Sequence, residues 1–228
     1  MRLGHALLCC TLFALACTKP APPPLRVAAA ADLTDTFTEL QPLFGEPVEF
    51  TFGASGLLSK QLQEGAPFDV FFSANAKFVD DAVAADACDA ATVQPYARGR
   101  LALLGDLATA KRIALANPET APYGLAARQA LETQAKWPAL QPRLVFTENV
   151  RQALQLYDTG NVEAAFVAYA NVNARDGGVQ LLDEALHAPI TQTRVRCTRG
   201  KNPAAAQRFL DFLNTKAARD VLSRHGFR

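Results

Sequence analysis

Val27-Ala28-Ala29-Ala30-Ala31-Asp32-Leu33-Thr34 opens the foldable part of this chain, and Gly53-Ala54-Ser55-Gly56 follows the same plan about twenty residues later. In each, a short apolar run stops at small or polar residues where an amphipathic helix begins. A strand that turns abruptly into a helix leaves unpaired backbone N–H groups aimed at one spot, with the helix dipole behind them. That is a seat for an anion. Two such seats in quick succession point to a protein that captures a small oxyanion.

Working outward, short β-like runs alternate with helical spacing almost to the end. Leu25–Ala30, Val48–Phe52 and Asp69–Phe72 predict buried strands, with helices over Thr34–Phe44, Gly56–Glu64 and Ala76–Ala87. Further strands are expected at Arg100–Leu104, Ile113–Ala116, Leu144–Phe146, Ala164–Ala168, Val179–Leu182 and Thr191–Cys197. Helices are expected at Pro122–Lys136 and Val150–Tyr157. Asn202-Pro203 starts a helical tail that Gly226 stops. This βαβ patterning predicts an α/β fold with mixed, mostly parallel sheets flanked by helices. No linker divides residues 25–228, so two lobes require chain crossovers, for which Leu101–Leu104 and Thr193–Cys197 are the natural strands. Lobe 1 would then span about 25–101 plus 196–228, and lobe 2 about 102–195.

The first seventeen residues read as an export signal. Arg2 supplies the positive start, and Ala6 to Ala16 an apolar run of eleven residues, too few to span a bilayer. Ala14-Leu15-Ala16-Cys17 resembles a bacterial lipobox, in which Cys17 carries the lipid. Residues 18–24, ending in Pro-Ala-Pro-Pro-Pro, form a stiff tether unable to pack. After processing, 22 basic residues face 22 acidic ones in no long run of either sign, and nothing there calls for nucleic acid. Cys88 and Cys197 remain, as a disulfide or as two buried thiols. No Cys/His cluster has zinc spacing, so no metal site is expected.

The chain resembles the substrate-binding proteins of molybdate ABC transporters, which are type 2 periplasmic binding proteins. Seven segments carry the likeness in order: Ala28–Thr34, Phe52–Gly56, Gln61–Ala74, Asn117–Gly124, Glu148–Leu154, Phe166–Ala168, and Phe209–Leu213 with His225–Phe227. The resemblance implies two α/β lobes with the oxyanion buried between them. It implies contacts from hydroxyls and backbone N–H groups, with no cationic side chain needed. Carried over position by position, those contacts fall on Asp32, Ser55, Tyr123, Val150 and Ala168, with Tyr169 adjoining. For Tyr123 and Val150 the backbone N–H is the implied donor.

Two departures stand out. The segment between Leu104 and Ile113 is shorter than usual for the family, and Asp32 occupies the position of a ligand serine. A carboxylate about 4 Å from a dianion would cost roughly twice the ~4 kcal/mol of one unit pair near a protein surface. That would consume most of a micromolar affinity. Either Asp32 turns away to cap the following helix, or the ligand is not molybdate.

Other candidates have plainer readings. Ser55 can cap its helix as well as donate its hydroxyl. Arg151 reads as a solvated charge at the expected cleft, and Asp69 as a structural carboxylate. Gly53-Ala54-Ser55-Gly56-Leu57 lacks the last glycine of a nucleophile elbow, and only His187 and His225 survive processing. Catalysis is therefore not expected. The sequence predicts an exported monomer without cofactor, periplasmic or at the cell surface and lipid-anchored to the membrane. It would bind molybdate or tungstate between its lobes and pass it to an ABC permease. The alternatives are a binding protein for another oxyanion or small organic ligand selected through Asp32, and an exported hydrolase.

Overall fold

The computed structural model describes residues 23–228. The export signal, Cys17 and most of the proline tether lie outside the described residues.

Ten strands form two five-stranded sheets among these residues. The first contains β1 (Leu25–Ala30), β2 (Val48–Gly53), β3 (Val70–Ser73), β4 (Gln94–Gly99) and β10 (Ile190–Arg196), in the order β2-β1-β3-β10-β4. The second contains β5 (Leu101–Gly105), β6 (Ile113–Ala116), β7 (Leu144–Thr147), β8 (Ala164–Ala168) and β9 (Val179–Leu181), in the order β7-β6-β8-β5-β9. Helices α1 (Thr34–Phe44), α2 (Ser55–Gln63) and α3 (Ala76–Ala84) belong to lobe 1. So do α7 (Pro203–Phe212) and α8 (Lys216–Arg224). Helices α4 (Pro122–Thr133), α5 (Trp137–Leu140) and α6 (Val150–Asp158) belong to lobe 2.

Period-two alternation puts alternate residues of each central strand on opposite faces. In lobe 1, Leu25, Val27 and Ala29 join Phe37, Phe72 and Phe209 beneath α1, α7 and α8. Ala28 and Phe71 instead meet Leu58 and Val79 of α2 and α3. Lobe 2 repeats the plan: Leu101, Leu103, Ile113 and Leu115 pack on α4, while Ala102, Leu104 and Ala114 pack on α6. Phe37 meets Phe72 edge-on at 5.0 Å and Phe209 at 5.9 Å. Each such buried ring contributes roughly 1.5–3 kcal/mol by burial.

Two sequence expectations need correction. The sheets are mixed as expected, but their pairings divide evenly, four parallel and four antiparallel. The antiparallel half comes from the strands on either side of the crossovers. The outward crossover is Arg100, between β4 and β5, near the expected place. The return comes at residues 187–189 rather than at 195, because β10 pairs along its length with β3 and β4 of lobe 1. Apolar patterning marks a strand without telling which sheet accepts it.

Cys88 and Cys197 face each other on an isolated antiparallel bridge as free, buried thiols, with Sγ atoms 3.6 Å apart. The Cys88 sulfur and burial hold the Cys197 thiol well above its usual range. No helix among the described residues is long and apolar enough to cross a membrane.

Candidate oxyanion site between the lobes

Four strand-to-helix switches converge on one cavity. Lobe 1 contributes β1 running into the 3-10 turn Ala31–Leu33, and β2 running through Ala54 into α2. Lobe 2 contributes the starts of α4 and α6. The small, half-open cavity of about 10 Å³ is lined by Ala30, Ala31, Asp32, Gly53, Ala54, Ser55, Ala74, Ala121, Pro122, Tyr123, Asn149 and Val150. Most are small, so backbone at the first helical turns comes close to the cavity.

Local chemistry explains each switch. Pro122 occupies the first turn of α4, where its missing N–H costs nothing. Asn149 caps α6, its Oδ1 accepting from the N–H groups of Arg151 and Gln152 at 3.0 and 3.1 Å. Gly56 brings the backbones of the two lobes together: its N–H donates to Thr120 O at 2.9 Å, and a Cβ there would sit 2.8 Å from that oxygen.

Ser55 does not cap α2; Ala54 holds that position, and Ser55 is the first helical residue. The Ser55 Oγ accepts the Ala74 N–H at 3.1 Å in a fully buried setting, so the hydroxyl hydrogen remains to be donated.

Asp32 likewise caps no helix. Its Oδ2 accepts the Tyr123 hydroxyl at 2.9 Å and Gln192 Nε2 at 2.5 Å. The carboxyl is 1% exposed, and Oδ1 is buried with no partner. Burial raises its pKa to about 6, against the lowering effect of the hydrogen bonds from Tyr123, Gln192 and the Asp32 backbone N–H. The Tyr123 hydroxyl is pushed well above its usual range, chiefly by burial and then by Asp32.

The structure therefore brings Asp32, Ser55, Tyr123 and Val150 together. It does not bring Ala168 and Tyr169 to the cavity lining. Ala168 is buried at the end of β8 opposite Leu101. The Tyr169 ring lies under the Arg100 guanidinium, 4.2 Å from ring centre to Cζ. Arg151, expected to be solvated, pairs with Asp35 at 2.6 Å and so joins α6 to α1 at the half-exposed rim. Asp69 is structural as read, accepting the N–H groups of Arg26 at 2.8 Å and Asn202 at 2.7 Å.

Sequence reasoning missed Gln192, Tyr96 and the side chain of Tyr123. Gln192 donates to Asp32 while its Oε1 accepts from the Tyr96 hydroxyl at 3.4 Å. An amide in a run of Thr and Arg carries no signal of such a role. A larger depression in lobe 1 is lined by Asp69, Asp86 and Asp89 against Arg196, an acidic excess unsuited to an anion.

The sequence profile of the bacterial extracellular solute-binding proteins matches residues 25–228. The chain belongs to that family. It is 34% identical over 224 residues to the molybdate-binding protein ModA of Rhodobacter capsulatus, covering 88% of this chain and 86% of that one. To ModA of Azotobacter vinelandii it is 32% identical, covering 89% of each. A solved structure of the Azotobacter vinelandii periplasmic molybdate-binding protein superposes with a TM-score of 0.85 at 28% identity, covering 90% of this chain and 98% of that one. The two-lobed α/β architecture read from the sequence is the architecture of this family.

Proposed function

We propose that this protein binds molybdate or tungstate in the interlobe cavity and delivers it to the permease of an ABC transporter. The observation that carries the reading is the convergence of four helix starts, two from each lobe, on one small cavity. Lobe closure strips water from the anion, and fixed N–H and O–H dipoles replace it. The contacts assigned to the ligand are the Ser55 hydroxyl and the backbone N–H groups at Asp32, Ser55, Tyr123 and Val150. Sulfate presents the same acceptors, so discrimination rests on cavity size.

Several features support a carrier rather than an enzyme. Among the described residues the Ser55 hydroxyl has no histidine partner: His187 contacts Ala188 O, and His225 contacts Glu39. Binding of this kind needs no cofactor. Export by the N-terminal signal, lipid attachment at Cys17 and a monomeric state complete the proposal. The lipobox-like Ala14–Cys17 and the proline tether support the anchor.

Calorimetric titration of the purified protein with molybdate, tungstate, sulfate and phosphate tests this reading. Tight binding confined to molybdate and tungstate supports it. The unpartnered Asp32 oxygen favours one rival, a ligand carrying its own hydrogen-bond donor, and silence toward all four anions would point there.

A further inference from the structure

We propose that Asp32 serves the bound anion as a carboxylic acid, its Oδ1 carrying a proton donated to an oxyanion oxygen. This rests on the oxyanion-binding reading of the cavity and adds a coupling that reading does not contain: each dianion enters with one proton.

The hydrogen bonds distinguish the two carboxyl oxygens. Oδ2 accepts two neutral donors, the Tyr123 hydroxyl from α4 and the Gln192 amide from β10. Two acceptor bonds suit the carbonyl oxygen of a protonated acid. Gln192 is oriented for this by Tyr96 of β4, whose hydroxyl reaches its Oε1. These partners hold Oδ2 toward the hinge, where a side chain at Gly99 would collide with the Tyr123 hydroxyl. Oδ1 is left buried and unpartnered on a residue that lines the cavity. A hydroxyl at Oδ1 has no acceptor among the described residues, and an oxyanion oxygen would supply one.

The surrounding charges leave this proton to the ligand. Among the described residues no lysine or arginine bonds the carboxyl. Arg194 of β10 turns to Leu210 O, Gln94 and Asn214, and Arg151 of α6 is occupied by Asp35 of α1. The remaining titratable neighbours, Tyr96 and Tyr123, are both held well above their usual range, mainly by burial, and stay neutral. Asn171 donates to the Asp32 backbone oxygen and to Asp35, leaving the Asp32 carboxyl untouched. A dianion placed beside an ionised Asp32 would meet uncompensated like charge, whereas beside the acid it gains a donor. The proton comes from solvent, so protein, dianion and one proton form the complex with no other reactant.

The serine that the family resemblance implies at this position would donate its hydroxyl at any pH. Asp32 donates only while protonated, which makes capture favour acidic conditions.

The test is calorimetry of the purified protein with molybdate from pH 5 to pH 9, in buffers of different ionisation enthalpy. Molybdate stays a dianion from pH 7 to pH 9, where the proposal expects about one proton taken up per anion and affinity falling about tenfold per pH unit. Uptake should vanish toward pH 5. Asp32→Asn and Asp32→Ser should each bind with no proton uptake and with affinity flat over the same range; two variants guard against a folding defect in one. Wild-type binding without proton uptake and without pH dependence would overturn the proposal alone. Failure to bind molybdate at any pH would instead remove the reading beneath it, and this proposal with it.

Discussion

Two aspartates are buried in this molecule, and they are solved in opposite ways. Asp69, 2% exposed just before β3, spends one oxygen on the Arg26 N–H and the other on the Asn202 N–H. It ties β1 to the start of α7. Asp32, 1% exposed after β1, gathers two side-chain donors on one oxygen and leaves the other without a partner, on a residue that lines the cavity. A buried carboxylate with both oxygens satisfied by backbone fastens the fold. One that is half satisfied, with its pKa raised by burial to about 6 and set among helix starts, is the one we assign to a ligand.

Removing the fastener should give the largest effect. Asp69→Ala strands two backbone donors and is expected to cost about 3–6 kcal/mol, from charge-assisted bonds of roughly 1.5–3 kcal/mol each. The urea midpoint should fall while the folded protein keeps its molybdate affinity. A loss of affinity without a loss of stability would reverse the roles assigned to the two residues.

Asp32→Asn should act in the other direction. A folded-state pKa of about 6 against 3.8 for the free side chain means that the folded protein holds the Asp32 proton more tightly than the unfolded chain. The cost of ionising it is absent below about pH 4, grows as pH rises and is complete above about pH 6. At pH 8 the variant should therefore be more stable by up to about 3 kcal/mol. The gap should close by pH 4 when urea midpoints are compared. A gap of the same size at both pH values would show that packing, not charge, separates the two proteins.

Smaller effects sharpen the picture. Tyr123→Phe removes one neutral donor that joins the lobes, and should weaken molybdate binding about fivefold, roughly 1 kcal/mol. Arg151→Ala breaks a half-exposed rim pair and should change affinity no more than about twofold, vanishing in high salt. A larger effect of Arg151→Ala would mean that long-range attraction, not buried dipoles, draws the anion in.

Much of this was legible in the sequence, for reasons that particular elements make plain. Strands β1, β6 and β8 and helix α1 occupy the residues that their periodicity predicts, because each is bounded by a sharp change of composition. Strand β4 escaped notice: Gln94–Gly99 carries Pro95 and is largely exposed along the sheet edge, so it lacks the apolar alternation of a half-buried strand. The helical tail breaks into α7 and α8 at Asn214 and Thr215, where Thr215 caps the second helix. The strand-to-helix switches after β1 and β2 were readable because they are local. The Asp32–Tyr123–Gln192 network was not, since its members lie 91 and 160 positions from Asp32 and only the fold brings them together.

The most direct test of the account is carbon NMR of the Asp32 carboxyl, titrated with and without saturating molybdate. Asp32 should titrate near pH 6 in the free protein and remain protonated through pH 8 once the anion is bound. A carboxyl that stays ionised above pH 5 in the complex would contradict the account, because the cavity would then be holding a dianion against an unscreened negative charge.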